Sequence, residues 1–218
     1  MHPHPEHGIA VIDRFETAHG ICTIVELTDD RVATALAALP EAEQALAHGM
    51  SSSRRRELVA GRAALHATLA ELAPELATHA ILADDRGAPV LPAGWYGSVS
   101  HKGTRAVALI APAGEARVGV DLERAAPPRQ DIARWILTRR EQDTLDDRGR
   151  GATLRFSIKE AIYKAIDPFV RRYVAFTEVE LDVAEGVAHV SSELPFAIDT
   201  TWREHAGFWL ATARAVRR

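Results

Sequence analysis

The apolar positions of this chain switch between two periods, and the switches lay out its elements. Ile21 to Leu27 has the β-branched, apolar character of a strand, and Asp29–Asp30 reads as a turn or cap into a helix reaching Leu39. Pro40 interrupts that pattern, and a second short helix follows from Pro40–Glu41 to Ala47, stopping at His48 and Gly49. Ser51 to Ser53 then offer an N-cap for a longer helix, RRRELVAGRAALHATLAEL, in which Leu58, Ala64, Leu65 and Leu69 recur at helical spacing. Turn residues dominate from Asp84 to Gly97. Beyond them, Gly97 to Ser100 and Arg105 to Ala111 predict a strand pair with His101, Lys102 and Gly103 in its bend. A turn at Ala111 to Gly114 leads into a strand, Val118 to Glu123, followed by a linker at Ala125 to Pro128 and a helix opening at Asp131 to Leu137. Arg148 to Gly151 reads as a loose basic loop. After a further helix, Val179 to Val183 and Ala188 to Ser191 form a hairpin about Glu185–Gly186, and Phe208 to Ala213 is a closing strand.

The chemistry concentrates in that further helix, Phe156 to Lys164, FSIKEAIYK. Ile158, Ala161, Ile162, Ala165 and Ile166 make its apolar stripe, while Glu160, Tyr163, Lys164 and Asp167 recur on another face. Taken alone, this is also what an ordinary amphipathic helix looks like, with a Glu160–Lys164 pair worth about 0.2–0.5 kcal/mol. The strand VGVDLE changes that balance. Alternation puts Asp121 and Glu123 on one side of it. Two like charges at the end of a buried strand repel one another and resist desolvation, so they call for open water or a cation. Magnesium takes oxygen ligands and commonly uses one or two carboxylates together with substrate phosphates. With Glu160, the pair offers a three-carboxylate magnesium site flanked by Lys159 and Lys164, two cations able to neutralise phosphate.

The rest of the composition narrows the field. The chain has 218 residues, 47% hydrophobic and 26% charged, enough for a proper core in one large or two smaller units. Its net charge of −4 argues against a general electrostatic grip on nucleic acid. The single cysteine, Cys22, excludes an internal disulfide or a cysteine-rich zinc site and fits a reducing compartment. With no apolar run of membrane-spanning length and no signal-peptide pattern at MHPHPEHG, the expectation is a soluble, cytoplasmic protein. His2, His4 and His7 read as a tail rather than a transition-metal site, because they lack the spacing and framing of such ligands.

Phosphate-binding candidates precede the carboxylates. Arg54 and Arg62 lie two helical turns apart, and arginine's planar fork suits a bidentate anion. Such arginines equally make a solvated face. His101 stands between Ser100 and Lys102, all able to donate to an anion. A weak correspondence between the helices carrying Gly61 and Lys159 hints at an internal duplication.

The motifs fall in one order: Arg54 and Arg62, RGAP at Arg86 to Pro89, GSVSH at Gly97 to His101, GVDLE, then FSIKEAIYK. This order resembles the 4′-phosphopantetheinyl transferases of the larger monomeric class, and most of all the enterobactin-type branch, over roughly Arg54 to Asp167. The resemblance implies an α+β fold of two similar α/β halves, 1–112 and 113–218, in pseudo-twofold arrangement with the active site in the cleft between them. It implies that Asp121, Glu123 and Glu160 bind magnesium, with Glu160 as ligand, general base or both. It places Lys159, Tyr163 and Lys164 at the diphosphate of coenzyme A. Arg54, Arg62, Arg86, Ser100 and His101 would grip the phosphates of coenzyme A, Arg86 standing where many relatives have lysine. The implied reaction moves phosphopantetheine from coenzyme A to a serine of an apo acyl or peptidyl carrier protein and releases 3′,5′-ADP. Arg134, Arg139, Arg140, Arg148 and Arg150 offer a basic landing surface for an acidic carrier, or simply a soluble surface. Two rival readings are a magnesium-dependent nucleotide-diphosphate hydrolase and a non-catalytic coenzyme A-binding scaffold.

Overall fold

The computed structural model describes residues 9–145 and 149–218, so His2, His4, His7 and Arg148 lie outside the described residues. The chain divides into two compact units between Ala113 and Gly114. The first opens with β1 (Ala10–Thr17) and β2 (Gly20–Glu26), then a 3-10 turn at Asp29–Arg31 and the short helices α1 (Val32–Ala37) and α2 (Glu41–Leu46). The long helix α3 (Ser52–Leu72) follows, then a small hairpin of β3 (Leu82–Ala83) and β4 (Pro89–Val90), then β5 (Trp95–Lys102) and β6 (Arg105–Pro112). The main sheet is antiparallel with order β1-β2-β6-β5. Ser51 caps α3 by accepting from the Arg54 amide, as the sequence predicts. Ala60, Ala64, Leu65 and Leu69 of α3 pack on Val25, Ala108 and Ile110 of the sheet.

The second unit runs β7 (Arg117–Arg124), α4 (Ala133–Ile136), α5 (Arg139–Asp143), α6 (Arg150–Val170), a 3-10 turn at Phe176–Glu178, β8 (Glu180–Ala184), β9 (Val187–Ser191), β10 (Phe196–His205) and β11 (Phe208–Arg217). Its sheet is antiparallel with order β7-β11-β10-β9-β8. The stripe read from FSIKEAIYK is the core of this unit: Ile158, Ala161, Ile162, Ala165 and Ile166 are all fully buried. α6 is longer than the motif that announced it. Its first turn absorbs Arg150 and Gly151 of the expected basic loop, Pro168 sits inside its last turn, and it ends at Arg171 in the left-handed conformation, φ 46°.

The two units share a wiring. In each, the strand before the long helix pairs with the unit's last strand, which pairs in turn with the strand before it: β2-β6-β5 in the first and β7-β11-β10 in the second. A helix of 21 residues packs on those three strands in both cases. The fold is thus α+β, two similar helix-on-sheet halves. The short strands β3 and β4, in a stretch read as turns, were not expected, and neither were two strands of the main sheets, β1 and β10. No residue of β1 is buried, and β10 mixes Asp199, Thr200, Thr201, Arg203 and Glu204 with its apolar positions, so neither shows an apolar run. His101 falls within β5 rather than in the bend after it. Among the described residues, no helix is long and apolar enough to cross a membrane.

Candidate active site

The site begins with a missing side chain. Gly119, on the face of β7 that also carries Asp121 and Glu123, lies directly under α6: a Cβ there would stand 2.0 Å from the Ala161 carbonyl oxygen and 2.8 Å from the Ala165 nitrogen. Strand and helix backbones therefore touch, and short side chains can bridge them. Ser157, fully buried, donates its hydroxyl to Asp121 Oδ2 at 2.9 Å. Lys164 Nζ donates to Asp121 Oδ1 at 2.8 Å and to the Val120 carbonyl at 3.0 Å. Asp121 itself is only 4% exposed. Ser157, Glu160 and Lys164 follow at three- and four-residue steps along one side of α6, which is why a single helix supplies all three.

Glu160 belongs to the same electrostatic cluster. Burial pushes its carboxyl above the ordinary value, the Lys164 ammonium pulls it back down, and the Asp121 and Glu123 carboxylates push it up again. Helical spacing alone puts Glu160 with Lys164; the structure adds Asp121 through Lys164 and Glu123 through the shared field. Among the described residues, no three histidine, cysteine, aspartate or glutamate side chains converge closely enough to enclose a metal ion. The donor types still suit a hard divalent cation: the Asp121, Glu123 and Glu160 carboxylates lie within one another's electrostatic reach, and the Lys164 ammonium pairs with Asp121.

Lys159 is placed differently from the expected diphosphate contact. Its side chain is fully buried, and its ammonium donates to Glu141 Oε2 at 2.7 Å, the Ile136 carbonyl at 2.8 Å and the Phe176 carbonyl at 2.9 Å. Those three bonds use every donor of the group. Glu141 in turn accepts from the Leu181 and Thr138 amides and completes a capping box with Thr138 at the start of α5. Burial lowers the Lys159 ammonium below its ordinary value, against the pull of Glu141. Tyr163 also turns inward: its hydroxyl donates to the Ala175 carbonyl at 3.0 Å and its ring rests 5.0 Å from that of Phe176. Burial first, and then the Glu160 charge, push that phenol far up, so it stays protonated.

In the first unit, Arg54 and Arg62 do not present a common face to solvent. Arg54 is exposed and donates to Glu57 Oε2 at 3.2 Å, and His101 Nε2 lies 3.6 Å from the same oxygen. Arg62 is buried, 3% exposed; it donates to the Leu82 carbonyl at 3.1 Å, while its Nε is buried without a hydrogen-bond partner. Burial holds its guanidinium below the usual value, with Glu43 opposing. Leu82 is at the base of the β3–β4 hairpin, and Arg86 is exposed in its turn, where Asp84 accepts from the Arg86 and Ala88 amides. Ser100 is buried on β5 one residue before His101. On the surface of the second unit, Arg140 pairs with Glu180, Arg150 pairs with Glu204, and Arg134 lies over the exposed ring of Trp135.

Three residues that sequence reasoning passed over hold these groups: Ser157, Glu141 and Glu57. Ser157 could have been found from its helical step to Glu160, and Glu141 from the T-x-x-E box at Thr138. Glu57 carries no such signal.

Known proteins match both units. Residues 42–111 fit the 4′-phosphopantetheinyl transferase N-terminal domain, and residues 117–213 fit the 4′-phosphopantetheinyl transferase superfamily. The 4′-phosphopantetheinyl transferase Npt of Nocardia iowensis is 31% identical over 160 residues, covering 70% of this chain and 70% of that protein. The chain belongs to the 4′-phosphopantetheinyl transferase superfamily. It is an enzyme of that class, and the expected enterobactin-type branch is among its relatives. Enterobactin synthase component D of Escherichia coli (strain K12) is 36% identical over 83 residues, 35% of this chain and 39% of that protein. Among solved structures, a holo-(acyl-carrier-protein) synthase from Bacillus anthracis in complex with CoA (3′,5′-ADP) aligns at 18% identity and a TM-score of 0.40, covering 47% of this chain and 96% of that one.

Proposed function

We propose that this transferase moves the 4′-phosphopantetheine group from coenzyme A to a serine of an apo acyl or peptidyl carrier protein, with magnesium, and releases 3′,5′-ADP. The observation that carries the reading is the group of Asp121, Glu160 and Lys164, with Asp121 clamped at 2.8 Å by the lysine and the Glu160 carboxyl pushed up beside them. Phosphoryl-type transfer asks a protein mainly for positioning and charge neutralisation. The serine oxygen bonds to the β-phosphorus as the bond to the bridging diphosphate oxygen breaks, and the electron pair leaves on the phosphate of 3′,5′-ADP. Glu160 takes the serine proton; with a cation held beside it, its carboxyl would be ionised and so able to accept. Lys164 balances the negative charge that grows on the departing phosphate. Asp121, Glu123 and Glu160 would hold the magnesium ion, which when bound neutralises diphosphate oxygens.

Residues 1–112 contribute the grip on the phosphates of coenzyme A, through Arg54, Arg62, Arg86, Ser100 and His101, and residues 113–218 contribute the metal and catalytic groups. The carrier docks on the basic face around Arg134, Arg139, Arg140 and Arg150, where exposed Trp135 adds an apolar contact. The enzyme works as a cytoplasmic monomer without nucleic acid or membrane. Lys159 and Tyr163 support the site from behind rather than touching the diphosphate, since their polar ends are spent on Glu141 and on backbone carbonyls.

The test is the intact mass of an apo carrier protein after incubation with the enzyme, coenzyme A and magnesium, beside Asp121→Ala and Glu160→Ala. A magnesium-dependent gain of one phosphopantetheine, lost in both variants, is expected. Coenzyme A cleaved with the carrier unmodified would point to the hydrolase, and coenzyme A bound but intact across several carriers would point to the scaffold.

A further inference from the structure

Serines inside helices usually return their hydroxyl to the carbonyl one turn back. Thr153, one turn before Ser157 on α6, does this: its hydroxyl lies 3.2 Å from the Gly149 carbonyl and 3.0 Å from that of Ala126. Ser157 does not. Its hydroxyl leaves the helix altogether and reaches Asp121 Oδ2 on β7 at 2.9 Å, a contact that exists only because α6 lies against the bare backbone of Gly119. Both groups are out of solvent, Ser157 at 0% and Asp121 at 4% exposure. A hydrogen bond from a hydroxyl to an ionised carboxylate is among the stronger kinds, and here water cannot replace it.

We infer that Ser157 is a positioning residue for Asp121: its hydroxyl holds Oδ2 so that the carboxylate plane stays fixed, with Oδ1 turned to Lys164 and the remaining lone pairs turned to the cation. The inference rests on the reading of Asp121 as a metal ligand. A carboxylate bonded on one oxygen only can rotate about its Cβ–Cγ bond; bonded on both, by Ser157 from one helical turn and Lys164 from another, it cannot. Groups that hold a ligand from behind typically change metal affinity 10- to 100-fold when removed, without touching the metal themselves. Ser157→Ala should therefore leave the apolar packing of α6 intact, remove the hydroxyl's bond to Oδ2 and loosen the ligand.

The experiment measures Mn²⁺ binding by the 218-residue chain, from the electron paramagnetic resonance signal of the free ion, for the parent, Ser157→Ala, Ser157→Thr and Asp121→Ala. Thermal melting is followed on the same samples. The expected result is a dissociation constant raised about 10-fold or more in Ser157→Ala. Ser157→Thr, which keeps the hydroxyl, should bind close to the parent, and Asp121→Ala should lose binding. In turnover assays, the KM for magnesium should rise in Ser157→Ala while the KM for coenzyme A holds. Parental Mn²⁺ affinity in a folded Ser157→Ala would overturn the inference while leaving the metal site standing. Equal weakening in a folded Ser157→Thr would overturn it too, because the hydroxyl would not be the cause. If the parent itself binds no Mn²⁺, the metal-ligand reading of Asp121 fails, and this inference fails with it by a separable route.

Discussion

Lys159 and Lys164 stand on the same helix, about 140° apart around its axis, and meet opposite surroundings. Lys159 enters a closed pocket behind α6 and joins the end of α4, the cap of α5, the turn at Phe176 and, through Glu141, the start of β8. Lys164 reaches the other way, over Gly119 toward Asp121, and keeps 29% of its side chain exposed. One cation is fully enclosed with a carboxylate of its own; the other shares a carboxylate at a partly open site. The difference shows that a charged residue's role follows from where its helix face points and how many donors remain, more than from the motif that contains it.

Truncating these lysines gives the largest expected effects. Removing one partner of a buried ion pair leaves an uncompensated charge, so Lys159→Ala should cost about 3–5 kcal/mol in urea unfolding. Lys164→Ala, where the lysine is partly exposed but Asp121 is buried, should cost less, about 1–3 kcal/mol, yet lower carrier modification on the order of 100-fold. Equal stability losses in the two variants would sink the comparison. Gly119→Ala tests the approach that lets Lys164 and Ser157 reach Asp121. Its Cβ meets backbone rather than a yielding side chain, so about 3 kcal/mol of lost stability is expected, with lost activity; a neutral melting curve would show that helix and strand do not touch as described. Thr138→Ala probes the rim of the Lys159 pocket, where Thr138 caps α5 and donates to Glu180 Oε2. About 1 kcal/mol should be lost, with transfer little changed.

The smallest effect should be the pH dependence at Glu160. Its folded carboxyl lies above the ordinary value of 4.5. Below that value both states hold the proton and the group adds nothing. As pH rises past it, the unfolded chain releases the proton first and the folded state is progressively disfavoured until its own carboxyl ionises. Glu160→Gln removes the effect, so its stability relative to the parent should climb with pH across this window and level off above it. Melting curves in chelator-treated buffer, where no cation can draw the carboxyl down, would check this; a stability gap independent of pH would count against a raised carboxyl.

Legibility followed solvent contrast. The stripe from Ile158 to Ile166 was readable because every member is buried on one side of a helix, and the α3 cap because Ser51 bonds three residues away. β1 and β10 were not, since a strand that buries few side chains has no apolar alternation to reveal it. At the site, Glu160 and Lys164 were readable as a pair because helical geometry is local. Asp121 could be nominated as a ligand but not placed beside them, because its 2.8 Å contact spans two elements distant in sequence.

The sequence by itself determined the family, the helices, most of the strands and the acidic and basic residue types that the chemistry calls for, because those properties depend on residue identity and short spacing. Which of the charges are spent internally was decided only by tertiary structure. Lys159 is closed off by Glu141, and Asp121 is clamped between Ser157 and Lys164. The first outcome depends on α4, α5 and the turn at Phe176 closing around Lys159; the second depends on how closely α6 settles on β7, where a single glycine sets the distance.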